Sequence, residues 1–182
     1  MAAPVTVVGI GNPIMSDDGI GLELLRQLAT GDSEVSELAW VPSHRRQPLA
    51  EPACPGPVEF IDGGTSGMEI LPVVQQARRL LLLDAIAGAQ PGQVTVLRGD
   101  QLPRLVQSHL SPHQVSLLDL LAAARLLGTE PEEIAVVGVV PASTELSVGL
   151  SEPVIAALPE AVAAARTVIA DWLAAENAAA GE

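Results

Sequence analysis

Four side chains of this sequence stand where acid, base or metal chemistry is commonly built. Asp18 follows the apolar run Val5–Val8 through the loop GIGNPIMSDD. Asp84 closes the run LLLLD, Asp62 closes VEFID, and His113 stands in SPHQ, ahead of an apolar helical stretch. In open α/β sheets, the carboxyl ends of strands and the helix starts that follow them form the crevice that receives ligands. Two carboxylates and one imidazole, Asp18, Asp84 and His113, make a mixed oxygen and nitrogen set. Such a set suits a divalent transition metal with coordination positions left open. Asp84 ends an apolar run, where an unpaired carboxylate is costly and a cation is a fitting partner.

Each member also has an ordinary reading. Asp18 can cap a helix, Asp84 can accept bonds from nearby backbone amides, and His113 can be a satisfied surface histidine. The SPHQ segment is informative in detail. Ser111 suits an N-cap, Pro112 the first helical position, and Gln114 completes a capping box with Ser111. His113 then lies in the first turn, where the helix dipole disfavours a positive charge and favours the neutral, metal-binding imidazole. His109 mimics helical ligand spacing, but Pro112 separates it from the helix. Asp62-Gly63-Gly64-Thr65 reads either as a tight strand-to-helix connection or as a wall along which an extended peptide could lie.

The elements that must position these groups alternate between strand-like and helix-like, the pattern of an α/β domain with a largely parallel sheet. Strands are expected at Val5–Gly9, Val58–Ile61, Leu80–Asp84, Gln93–Arg98 and Ile134–Val140, with an earlier piece near Leu38–Val41. Helices are expected at Asp18–Ala29, Met68–Ala77, Ser111–Leu127 and Ser151–Ala175, with Pro159 kinking or dividing the last. The fold class is thus one twisted, mostly parallel sheet with one antiparallel edge strand and helices on both faces. Residues 1–182 form one domain. Residues 42–57, with five prolines and the basic pair Arg45 and Arg46, read as an irregular surface loop. Residues 176–182 read as a frayed tail.

Composition narrows the partners. The formal charge of −13 opposes nucleic acid and anionic membranes, and the absence of Tyr leaves little for base stacking. No apolar stretch approaches the roughly 20 residues that cross a bilayer. A single cysteine, Cys54, cannot form an internal disulfide, which fits a cytoplasmic protein. The Gly9-x-Gly11 start of a dinucleotide loop lacks its third glycine, since position 14 is Ile. There is no G-x-S-x-G elbow, Walker lysine or HExxH helix.

Taken in order, GIGNPIMSDDGIG, IDGGTSGMEIL, LLLDAI, SPHQVSLLDLL and VVGVVPASTELSVGLSEPV resemble the hydrogenase maturation endopeptidases. The resemblance runs from about Val5 to Trp172. These are nickel-dependent proteases that trim a short C-terminal extension from the NiFe-hydrogenase large-subunit precursor. The resemblance implies Asp18, Asp84 and His113 as metal ligands, with Asp17 left as a cap or a support. It implies a substrate-facing role for Asp62, Gly63, Gly64 and Thr65. It also implies that the Ni2+ is supplied by the substrate, although other divalent metals could occupy the site. Water activated by such an ion is the simplest chemistry, and the sequence assigns no general base. The expected protein is a cytoplasmic monomer whose partner is the precursor, with no nucleic acid and no membrane. A non-catalytic chaperone that checks nickel insertion would need the same ligands. A hydrolase of the peptidyl-tRNA kind shares the GIGNP opening but conflicts with the acidic charge.

Overall fold

The ends of two neighbouring strands set the frame. In the computed structural model, which describes residues 4–35, 58–102 and 112–180, five strands form one sheet. They are β1 (Val5–Ile10), β2 (Val58–Gly64), β3 (Arg79–Ala85), β4 (Val94–Arg98) and β5 (Glu133–Val139), in the order β2-β1-β3-β5-β4. Four are parallel, and β4 pairs antiparallel with β5 at one edge. The alternation of Val94 and Val96 with polar neighbours anticipates an edge strand, although the residue it buries is Leu97, on the other face from the valines. β1 and β3 are buried along their whole length, as continuous apolar runs require.

Helices α1 (Ile20–Thr30), α2 (Leu71–Gln76), α3 (Pro112–Leu126) and α4 (Glu152–Ala180) cover the two faces. Ile20, Leu24 and Leu28 of α1 join Leu158, Ala161 and Ile169 of α4 over Val7, Leu83 and Val137. On the other face, Ile70 and Val74 lie with Leu120 and Ala124 of α3 over Val8, Leu82 and Val136. Connections from β1 and β3 therefore leave toward opposite edges, which makes the gap between their carboxyl ends a topological switch point.

Several boundaries differ from the sequence expectation. The first helix does not begin at Asp18; a 3-10 turn, Ser16–Gly19, holds both aspartates before α1 starts. Residues 67–70 likewise form a 3-10 turn ahead of a short α2. Pro159 does not divide α4, which is continuous through it. An interior proline costs about 3 kcal/mol. Burying an aliphatic side chain yields roughly 1.5–3 kcal/mol, and α4 buries Val154, Leu158, Val168 and Ile169 along one face. The proline is itself exposed, so the carbonyl it leaves without a helical donor, that of Ile155, can be hydrated.

Nor does the chain fray at residue 176. Arg78 and Arg79 both bind Glu176, at 2.6 and 2.8 Å, and Arg79 also reaches Glu133 and the Trp172 carbonyl. The Trp172 indole donates to the second oxygen of Glu133. By length and composition α4 could cross a bilayer, contrary to the expectation that no stretch comes close. Here its apolar face packs on the sheet. The expected strand piece at 38–41 and the proline-rich stretch 42–57, with Arg45, Arg46 and Cys54, lie outside the described residues, as does His109.

Close packing at the switch point relies on glycine. A Cβ at Gly21, in the first turn of α1, would strike the carbonyl oxygens of Ile10 and Leu83, one from each flanking strand. Gly21→Ala is expected to lower stability by about 1–3 kcal/mol, the usual cost of forcing extra volume into a packed core. Urea unfolding measures it. An unchanged midpoint would mean that α1 is not seated against these strand ends.

Candidate functional site at the carboxyl edge of the sheet

Asp17 and Asp18 divide the work of one turn. Asp17 is fully buried. Its Oδ2 accepts the Ala142 and Ser143 amides at 2.8 and 3.0 Å and the Ser151 hydroxyl at 2.7 Å. Its Oδ1 accepts the Ser151 amide at 2.6 Å. One carboxylate thus ties the first turn to the loop between β5 and α4. The backbone adds to the tie: Ser16 donates to the Ser147 carbonyl and Ser147 to that of Ile14.

Asp18, also buried, turns the other way. Its Oδ2 accepts the Asn12 amide at 3.0 Å, and no side-chain bond caps the 3-10 turn or α1. The helix-cap reading of Asp18 is therefore not what the structure contains. Gly11 lies against the Asp18 carbonyl with φ +139°, a conformation and a closeness that only glycine accommodates. The 3-10 turn also packs on β3. Asp18 consequently sits beyond the carboxyl end of β1, beside β3, whose last two residues are Asp84 and Ala85.

Asp84 is fully buried and its Oδ1 accepts the Ala85 amide at 2.8 Å. Strand alternation fixes its direction. Leu82 lies in the cluster under α2 and α3, and Leu83 in the one under α1 and α4, so Asp84 points toward the α2 and α3 side. α3, which carries His113 as its second residue, covers that same side. It also packs on the 3-10 turn that follows β2 at the carboxyl edge. The side chains of residues 112–118, and Ser111 entirely, lie outside the described residues. Among the described residues no group of three or more His, Cys, Asp or Glu could hold a metal. Asp18 and Asp84 are thus buried carboxylates at the carboxyl ends of neighbouring strands, with the α3 start on the Asp84 side.

Asp62 stands apart. It pairs with Gly9 across β1, and Val58 and Phe60 of its strand pack on the α1 and α4 side while Ile61 packs on the other. Asp62 therefore points to the face opposite Asp84. Gly63, next in the chain, lies against Val8 on that other face, where an added Cβ would meet the Val8 side chain at 2.9 Å. The Asp62 Oδ1 is buried without a hydrogen-bond partner. Burial pushes its carboxyl above the ordinary aspartate range, with a bond from the Gly64 amide pulling the other way. Thr65 is exposed beyond it.

Sequence reasoning did not single out Asn12, Gly21, Ser143 or Ser151. Ser151 looks like an ordinary residue before a helix, and only its 134-residue separation from Asp17 reveals the latch.

Comparison with known proteins gives the family and the fold. The sequence model for the hydrogenase maturation proteases matches residues 47–168. The hydrogenase 2 maturation protease of Escherichia coli is 34% identical over 160 residues, covering 87% of this chain and 85% of that protein. The chain belongs to the hydrogenase maturation protease family. A second member, the hydrogenase expression/formation protein HupD of Bradyrhizobium diazoefficiens, is 30% identical across 92% of this chain and 79% of its own length. The structure of the hydrogenase maturating endopeptidase HybD from E. coli superposes with a TM-score of 0.72 at 30% identity, covering 92% of each chain. As a member of this family the chain is a peptidase, built on the same mixed five-stranded sheet.

Two expectations follow. Asp17→Asn keeps the shape but turns an amide nitrogen toward groups that all donate. It should cost about 1–3 kcal/mol and speed hydrogen exchange at the Ala142, Ser143 and Ser151 amides. Unaltered exchange there would remove the latch from the account. For Asp62 the folded carboxyl has the raised pKa, so the folded state holds that proton more tightly than the unfolded chain does. Its contribution to stability is fully present at acid pH and lost as pH rises through the raised value. Asp62→Asn should therefore gain on the wild type at neutral pH, with the gap closing on acidification in thermal melts. A constant gap from pH 4 to 7 would contradict it.

Proposed function

We propose that this chain is a nickel-dependent endopeptidase that removes a short C-terminal extension from a NiFe-hydrogenase large-subunit precursor. In this reading Asp18, Asp84 and His113 recognise the nickel already seated in that substrate. The observation that carries it is the match along nearly the whole chain, in sequence and in fold, to maturation proteases of E. coli. The two buried acids at the switch point supply donor chemistry that fits a divalent ion, and α3 brings His113 in its first turn to the Asp84 side of the sheet.

The protein's own part is preorganisation. Asp18 is held by the Asn12 amide, and its turn by the Asp17 latch, before any ligand arrives. Little reorganisation then remains when charge develops beside it. Burial keeps water from screening both carboxylates, so a cation is attracted more strongly than at the surface. A divalent ion held there supplies a Lewis acid for the scissile carbonyl. The carboxylates orient it and balance its charge. The acting form is a cytoplasmic monomer with no nucleic-acid or membrane partner, in keeping with a formal charge of −13.

Incubation of the purified protein with nickel-loaded precursor should shorten the precursor by one discrete C-terminal peptide in mass spectrometry, and nickel-free precursor should stay intact. Asp84→Ala and His113→Ala should each lower the rate at least about a hundredfold, a typical loss for removing a group that acts on developing charge. Association without cleavage would replace the protease by a nickel-checking chaperone. Full activity in either variant would remove these residues from the site.

A further inference from the structure

Asn12 uses its polar groups within its own loop, with one exception. Its backbone amide donates to the Asp18 Oδ2 at 3.0 Å, and its carbonyl accepts the Met15 amide at 3.0 Å. Its side-chain Oδ1 accepts the Ile14 amide at 3.2 Å. A backbone N–H only donates, so the carboxamide must turn its oxygen toward Ile14 and its NH2 group the other way. That NH2 group has no hydrogen-bond partner among the described residues. The residue is partly buried and held along the chain as well. Pro13 restricts the backbone before it, and Gly19 packs so closely that an added Cβ would lie 2.9 Å from the Pro13 Cα.

Peptide hydrolysis calls for a donor of this kind. As the water oxygen bonds to the carbonyl carbon, the π pair moves onto the carbonyl oxygen. It returns when the C–N bond breaks and the amine leaves with a proton from the water. The oxygen is negative in between, and fixed donors aimed at it are a leading source of rate enhancement. Beside buried carboxylates that charge is disfavoured, and the described part of the chain has little positive charge to offset it. Arg26, Arg78, Arg79, Arg98 and Arg125 each pair with a carboxylate, and Arg166 is exposed on α4. An arginine in the first loop would pair with Asp18 and take the place of a cation. A neutral amide does not.

We propose that the Asn12 side chain is a catalytic residue that donates from its NH2 group to the carbonyl oxygen of the bond that is cut, a role that rests on the processing reading for the reaction itself. Asn12 neither gives nor takes a proton, so the hydrolysis stays balanced without it. Its Oδ1 is anchored to the Ile14 amide and its own backbone amide to Asp18. The donor is therefore in place before the precursor arrives, and little reorganisation remains as the charge develops.

The test removes the donor and keeps the turn. Asn12→Asp offers the Ile14 amide the same acceptor, and Asp closes a turn of this kind as Asn does, but it has no NH2 group. With nickel-loaded precursor, kcat should fall about a hundredfold or more while KM stays within about threefold, the pattern for an interaction made only in the transition state. The melting temperature and hydrogen exchange at the Ile14 and Met15 amides should match the wild type. Asn12→Ala adds no charge and also lacks the acceptor, so it should lose as much kcat and speed exchange at Ile14. Full activity in Asn12→Asp overturns the role and leaves Asn12 as a former of the turn. A loss confined to KM overturns it too, because the new carboxylate would then act on binding alone. An Asn12→Ala that keeps its kcat overturns the donor even where Asn12→Asp is slow. In each of these cases a wild type that cuts leaves the processing reading standing. A wild type that leaves the nickel-loaded precursor intact overturns both.

Discussion

A carboxylate sealed from solvent and surrounded by four donors governs how this molecule is put together. Asp17 has no water to fall back on, so each of its bonds to Ala142, Ser143 and Ser151 must be in place for the turn to be stable. Once they are, the neighbouring residue has little freedom. Asp18 emerges from a 3-10 turn that is fixed from behind, with its own carboxylate drawn to Asn12. Adjacent acids therefore serve different ends: one is used up by the scaffold, and the other is presented beside β3. Swapping their roles would require the turn to rotate, which Gly11 and Gly21 prevent by leaving no space between the backbone segments they separate.

The sheet keeps its buried acid pair and its ion-pair network at opposite edges. At its carboxyl edge lie Asp18, Asp84 and the start of α3. At its amino edge, Arg78 and Arg79 gather Glu132, Glu133 and Glu176 and hold the end of α4. Arg79 is buried there, and a buried cation is tolerable only because two carboxylates and the Trp172 carbonyl meet it. Placing such a network at the amino edge keeps its positive charge away from the acid pair.

Much of the architecture could be read in advance, for reasons that are particular. Leu80–Leu83 and Ile134–Val137 are uninterrupted apolar runs, and only a strand covered on both faces needs that. Val94 and Val96 alternate with polar residues, and β4 is indeed the antiparallel edge. The strand-end rule located Asp18 and Asp84 without coordinates. What could not be read depended on contacts remote in sequence. A cap was one of the readings open for Asp18 because capping is a local property, whereas the Asn12 amide that it accepts depends on how the loop after β1 folds back. Pro159 looked like a break because its cost is local and the packing of α4 that outweighs it is not. Asp62 shared the strand-end signal with Asp84, yet its strand is one pairing removed and its side chain leaves the sheet on the other side.

The distance along the chain between Asp17 and Ser151 has a consequence for how the protein comes into being. A ribosome that has reached Val140 has already made both acids of the switch point, the whole sheet and α3, but not the loop that secures the first turn. Contacts separated by more than a hundred residues form late, because closing so long a segment is entropically unfavourable until the rest is in place. The carboxyl edge of the sheet is thus among the last parts of the molecule to become rigid, and a nascent chain carries Asp17 and Asp18 before the loop that fixes their turn exists.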